Sequence, residues 1–119
     1  MPRPPQPELP PDPALDSRLN ELRGRFQAAL PGRISAIRQR MEALGPGDWS
    51  PSQAEELRTE VHSLAGSSGL FGFDQVGAAA GDLERLIIAA TKSGTVTHAQ
   101  TEELLHAFVR LEQAQLSAQ

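Results

Sequence analysis

Seven of the ten prolines (Pro2, Pro4, Pro5, Pro7, Pro10, Pro11 and Pro13) crowd the first 13 residues, and this decides what that stretch can become. Each one fixes φ and removes a backbone donor, so neither a helix nor a sheet can run through residues 1–13. They read as a Pro-rich disordered tail or linker, a spacer more than a ligand for a proline-binding domain. Residues 14–119 are left as one domain, the count expected at this length.

Beyond the tail, apolar residues recur at spacings of three and four, and no alternating run is long enough for a strand. Asp12-Pro13 is an N-cap followed by proline at the first helical position. Leu15, Leu19, Leu22 and Phe26 then form an apolar stripe that Leu30, Ile34, Ile37, Met41 and Leu44 continue. Pro31-Gly32 interrupts it. Proline disfavours the α region for the residue before it, so a kink or a break into two helices is expected there.

Gly45-Pro46-Gly47 ends that element, and Trp49 is positioned to staple the next helix onto the rest. Ser50-Pro51-Ser52-Gln53 opens it, with Ser50 as cap and Gln53 placed to close a capping box. Leu57, Val61 and Leu64 are its buried stripe, and Gly69 and Gly72 mark its end. Asp74 is expected to cap a third helix that buries Val76, Ala80, Leu83, Ile87 and Ala90 and stops at Gly94. Thr97 and Gln100 repeat the capping-box pattern before a last helix facing inward through Leu104, Phe108 and Leu111. Short connections favour antiparallel neighbours. The expected fold is all-α, an antiparallel up-and-down four-helix bundle with an additional or kinked N-terminal helix.

Composition narrows the chemistry. With 11 Lys+Arg against 15 Asp+Glu and Lys92 as the only lysine, the clustered basic excess that phosphate contacts require is missing, which argues against nucleic acid. Without cysteine there is no disulfide framework, thiolate nucleophile or Cys-based zinc site. The longest apolar run, Leu86 to Ala90, is far short of the ~20 residues of a membrane span, and the Pro-rich start lacks a signal peptide's apolar stretch. A cytoplasmic protein is expected. His98, Glu102 and His106 recur at four-residue steps, but the two histidines lie about 12 Å apart along a helix, too far to share one ion at ~2 Å. That row reads as a solvated face. No phosphate loop, Gly-rich nucleotide loop or magnesium-binding carboxylate cluster is visible, so no cofactor of its own is expected.

One histidine calls for more. At about 100° per residue, His62 points about 130° away from the mean direction of Leu57, Val61 and Leu64, toward solvent. Glu55, Arg58, Thr59, Gly66 and Gly69 share its face. Gly66, one turn after the imidazole, costs a helix ~1 kcal/mol relative to alanine at a place where almost any side chain would be tolerated. The gap it leaves uncovers the ring for close approach by another surface. Gly77 and Gly81, four apart on the third helix, are better explained by close helix packing, and Ser67 and Ser68 by the helix end.

The stretch Val61-His62-Ser63-Leu64-Ala65-Gly66-Ser67-Ser68-Gly69-Leu70-Phe71-Gly72-Phe73 resembles the signature of histidine phosphotransfer (HPt) domains. In that family the phosphoaccepting His is followed by an apolar residue at the second place, Gly at the fourth and another Gly at the tenth. Ala79-Ala80-Gly81-Asp82-Leu83-Glu84 also resembles the small-residue helix ending in Leu-Glu that pairs with the His helix. The resemblance spans roughly residues 15–117 and includes the Phe26 to Pro31 segment. It departs at the third place after the His, where the family often has Lys and this chain has Ala65; Arg58 is the candidate to supply part of that charge.

The resemblance implies a phosphoryl carrier with no kinase chemistry of its own. His62 would be the phosphoacceptor, exchanging the group with aspartates of response-regulator receiver domains, with Mg²⁺ on the receiver and a hybrid histidine kinase as a further partner. Docking would involve Glu55, Arg58, Thr59, Ala65, Gly66 and Gly69, together with Gln75 and Ala79 on the adjacent helix. The alternative is a helical adaptor that binds a receiver domain without transfer, and Ala65 is the residue that favours it.

Overall fold

In the computed structural model of the chain, Pro4 and residues 12–119 are described. The tail expected over residues 1–13 therefore falls, apart from Pro4, Asp12 and Pro13, outside the described residues. The remainder is four helices, α1 (Pro13–Leu44), α2 (Pro51–Leu70), α3 (Asp74–Ser93) and α4 (His98–Ala118). The connections after α1 and α3 meet as a two-stranded antiparallel ribbon of β1 (Gly47–Asp48) and β2 (Thr95–Val96), paired Gly47 with Val96 and Asp48 with Thr95. This is the expected antiparallel bundle, with the short ribbon as an addition that no alternating pattern announced.

Local chemistry sets most helix limits. Asp12 Oδ1 accepts from the Ala14 amide at 3.0 Å, and Thr97 and Gln100 form a complete capping box. At Ser50 only half the box forms: its hydroxyl accepts from the Gln53 amide at 3.5 Å, while the Gln53 side chain is exposed. Asp74 is not a cap. It is the first residue of α3, because Phe73, buried and with its amide bonded to the Ser68 carbonyl at 2.8 Å, occupies the capping position. Asp74 instead places negative charge at the positive end of the helix dipole. Gly94, after α3, takes a φ of 82° that side chains rarely adopt.

The inward stripes close one core. Leu30, Ile37, Leu57, Val61, Leu64, Val76, Leu83, Ile87 and Leu111 are each at most 1% exposed, a burial worth ~1.5–3 kcal/mol per side chain. Phe26 extends this core toward the α2–α3 turn, its ring 5.2 Å from that of Phe71 and 5.6 Å from that of Phe73. Trp49 packs against the core as expected and donates from its indole N–H to the Gly45 carbonyl at 2.7 Å.

Two expectations for α1 are corrected. First, the stripe faces inward only from Phe26 onward; Leu15, Leu19 and Leu22 are 54%, 49% and 41% exposed. With 32 residues α1 is about 48 Å long, whereas the 20 residues of α2 and of α3 reach only about 30 Å, so the first turns of α1 outrun their neighbours. Second, of the kink or break expected at Pro31 the break does not occur: α1 runs through Pro31 as one helix, and no additional helix precedes it among the described residues. Proline leaves the carbonyl four residues back without its helical donor. Here that carbonyl, on Gln27, accepts instead from the Gln119 side-chain amide at 3.2 Å, and Gln27 in turn donates to the Ala118 carbonyl at 2.7 Å. The exchange satisfies α1 at Pro31 and the open end of α4 together.

Candidate functional site

Gly77 allows α2 and α3 to approach closely. A Cβ there would stand 3.4 Å from the Ala65 carbonyl oxygen and 3.5 Å from both the Gly69 nitrogen and the Ser68 Cβ. Ser68 is fully buried at this crossing, and its hydroxyl has no hydrogen-bond partner among the described residues. The tight turn through Phe71, Gly72 and Phe73 makes the two helices antiparallel, so residues at roughly similar distances on either side of the turn face each other.

His62 and Glu84 are such a pair. His62 Nδ1 lies 2.9 Å from Glu84 Oε2 and 3.2 Å from Oε1. The His62 side chain is 69% exposed and that of Glu84 only 16%. An ionised carboxylate can only accept, so the short contact fixes the hydrogen on Nδ1 and leaves the lone pair of a neutral ring on Nε2, directed away from Glu84.

Arg58 supports Glu84 from the preceding turn of α2, with Nη1 3.5 Å from Glu84 Oε2. It also makes a forked contact with Glu55, Nη2 to Oε1 at 2.6 Å and Nε to Oε2 at 3.0 Å. The hydrogen bond from Arg58 holds the Glu55 carboxyl below the usual carboxylate range, and the same bond raises the Arg58 guanidinium above its ordinary value. Its charge is thus shared between two carboxylates. That qualifies the expectation that Arg58 compensates for Ala65: its contacts position Glu84 and leave little charge free.

On the other flank of His62, α1 contributes Arg33. Its Nη2 lies 3.2 Å from the hydroxyl of Ser63, and its guanidinium sits over the Phe26 ring at 5.7 Å from the centroid. Arg33, Thr59 and Ser63 line a cleft between α1 and α2.

The remaining candidates divide. Thr59, Gly66 and Gly69 are exposed on the His62 face, and a Cβ on either glycine would meet nothing within 4 Å. Ala65 is half-buried against α3. Gln75 and Ala79 are not brought to this face. Helical phase puts them about 180° and about 140° around α3 from Glu84, and Gln75 borders Ala114, Ser117 and Ala118 of α4 instead. The side of α3 that meets His62 is Gly77, Gly81, Glu84 and Ile88. The sequence assigns Glu84 no role; the pairing of α3 with α2 is what brings it to His62. His98 makes only an exposed contact with Glu102 at 3.5 Å, and no three potential metal ligands converge among the described residues.

Together these features define a class: an all-helical bundle that displays one imidazole at mid-helix, backed by a carboxylate from the next helix. The Hpt domain family model matches residues 21–117, and the chain belongs to the Hpt domain family, whose domains serve phosphotransfer in two-component phosphorelays and generally interact with receiver domains and kinases. The comparisons with curated proteins and with solved structures returned no match. No helix among the described residues is long and apolar enough to cross a membrane.

Proposed function

We propose that the chain is a phosphohistidine carrier whose His62 exchanges a phosphoryl group with aspartates of response-regulator receiver domains. The observation that carries this reading is the His62–Glu84 pair, which leaves the nucleophilic lone pair on the exposed nitrogen. In the forward step Nε2 attacks the phosphorus of an aspartyl phosphate in line; a P–N bond forms, the P–O bond breaks, and the aspartate leaves as carboxylate. The ring then carries positive charge, and the Nδ1 hydrogen remains bonded to the Glu84 carboxylate. Transfer to another aspartate reverses these bonds and needs no new proton.

Gly66 leaves the approach to the ring open, and Thr59 and Gly69 complete the exposed surface beside it. Mg²⁺ would be held by the receiver, and a hybrid histidine kinase is the partner class expected upstream. The cytoplasm is the compartment this reading expects. A second reading, a receiver-binding adaptor without transfer, is favoured by the uncharged Ala65 three residues after His62. The deciding experiment mixes receiver domains phosphorylated on aspartate with the chain and with His62→Gln. Carrier function gives acid-labile, alkali-stable label on the parent alone; receiver binding without label in either protein supports the adaptor.

A further inference from the structure

A phosphoryl group on His62 brings about two negative charges to a face that already presents the carboxylates of Glu84 and Glu55. Some cation must offset them. Three arginines stand near enough to consider, and their existing partners separate them. Arg58 is divided between Glu55 and Glu84, and Arg85 is paired with Asp82. Position 65, one turn beyond the histidine, is alanine. Arg33 alone of the three has no carboxylate partner among the described residues; it holds only the Ser63 hydroxyl and an aromatic face.

We propose that Arg33 is a phosphoryl-binding residue for phosphorylated His62, released from Ser63 to make a charge-assisted contact with the phosphoryl oxygens. This rests on the carrier reading for its biological use. Geometry favours it because Ser63 follows His62 directly in α2, so the guanidinium is held on the α1 side of the helix turn that carries the imidazole, whereas Glu84 approaches from α3. The exchange would proceed by rotation of the long Arg33 side chain about its own bonds. The contact it gives up is a neutral hydroxyl, whereas the contact it gains is to an anion whose paired oxygens match a planar guanidinium. Glu84 would thus hold the proton-bearing side of the ring, and Arg33 the phosphoryl side.

The test uses the full chain with His98→Gln and His106→Gln, so that His62 is the only histidine. Phosphoramidate serves as a donor that needs no receiver: its P–N bond breaks as the bond to His62 forms, and ammonia leaves. Phosphorus NMR of the labelled protein should show a shift difference between Arg33 and Arg33→Gln. Equilibration with a phosphorylated receiver should leave about fivefold less phosphohistidine in Arg33→Gln, the upper range for an exposed ion pair. Ala65→Lys on that background should restore it, and melting temperatures should agree within a few degrees. An unchanged phosphorus shift together with an unchanged equilibrium in Arg33→Gln overturns the proposal. Failure of every receiver to label the parent overturns the carrier reading instead, while the phosphoramidate arm still reports on Arg33.

Discussion

Glu84 and His62 are 22 positions apart in the chain, yet the Glu84 carboxylate lies 2.9 Å from Nδ1 of His62. The contact makes the two ring nitrogens unequal. A hydrogen bond to a charged acceptor is worth ~1.5–3 kcal/mol, and with the imidazole largely exposed the lower figure applies, about tenfold in rate. Glu84→Ala should slow discharge of a phosphorylated receiver by about that factor, whereas Glu84→Gln, which keeps an acceptor but not the charge, should fall between. Nitrogen shifts of the His62 ring should show the Nδ1–H form losing its dominance in Glu84→Ala. A ring unchanged in that variant would contradict the assigned role.

Gly66 separates stability from docking. A Cβ there meets nothing inside the chain, so Gly66→Ala should stabilise the helix by about 1 kcal/mol and raise the melting temperature by a few degrees. Transfer from a receiver should weaken at the same time, because the added methyl enters the space beside the imidazole. A variant both more stable and equally active would show that the gap serves no approach.

The four inward stripes were legible because period 3.6 is a local property, and so was the outward phase of His62, which needs only its own helix. What escaped depends on two elements at once. Leu15, Leu19 and Leu22 continue the spacing of Phe26 without a break, and only the shorter lengths of α2 and α3 leave them uncovered. Pro31 reads as a breaker until an amide 92 positions away meets the freed carbonyl of Gln27. Gln75 and Ala79 are expected at the docking face only as members of the adjacent helix, and which side of that helix meets α2 depends on the antiparallel pairing, which selects Gly81 and Glu84. Arg33 gave no local signal, since its approach to Ser63 depends on how α1 crosses α2.

Pro31→Ala tests that compensation. Restoring the backbone donor should stabilise the chain, by less than the ~3 kcal/mol that proline costs a helix interior, because Gln119 already satisfies part of the loss. Urea midpoints decide it. Removing the amide with Gln119→Ala should destabilise the parent more than it destabilises Pro31→Ala.

Ser68 offers the converse case. Its hydroxyl is buried at the α2–α3 crossing without a partner among the described residues, so Ser68→Ala removes an uncompensated polar group and should gain about 1 kcal/mol in chemical denaturation. A loss of stability would reveal a partner for that oxygen.

The Glu55–Arg58 contact carries a pH signature. Because Arg58 holds the Glu55 carboxyl below its ordinary value, the unfolded chain binds that proton first on acidification. The contribution is complete above the ordinary carboxylate value of about 4.3 and is lost as pH falls through the lowered one. Glu55→Gln should therefore be less stable than the parent at neutral pH and converge with it in acid, as read from urea midpoints across pH.

The overhang of α1 has a mechanical meaning. Residues 13–25 continue as helix beyond the point where Phe26 enters the core, a rod of about 20 Å. A twist applied at the first turn of α1 would therefore be delivered as torque to Phe26 and to the same helix's Arg33.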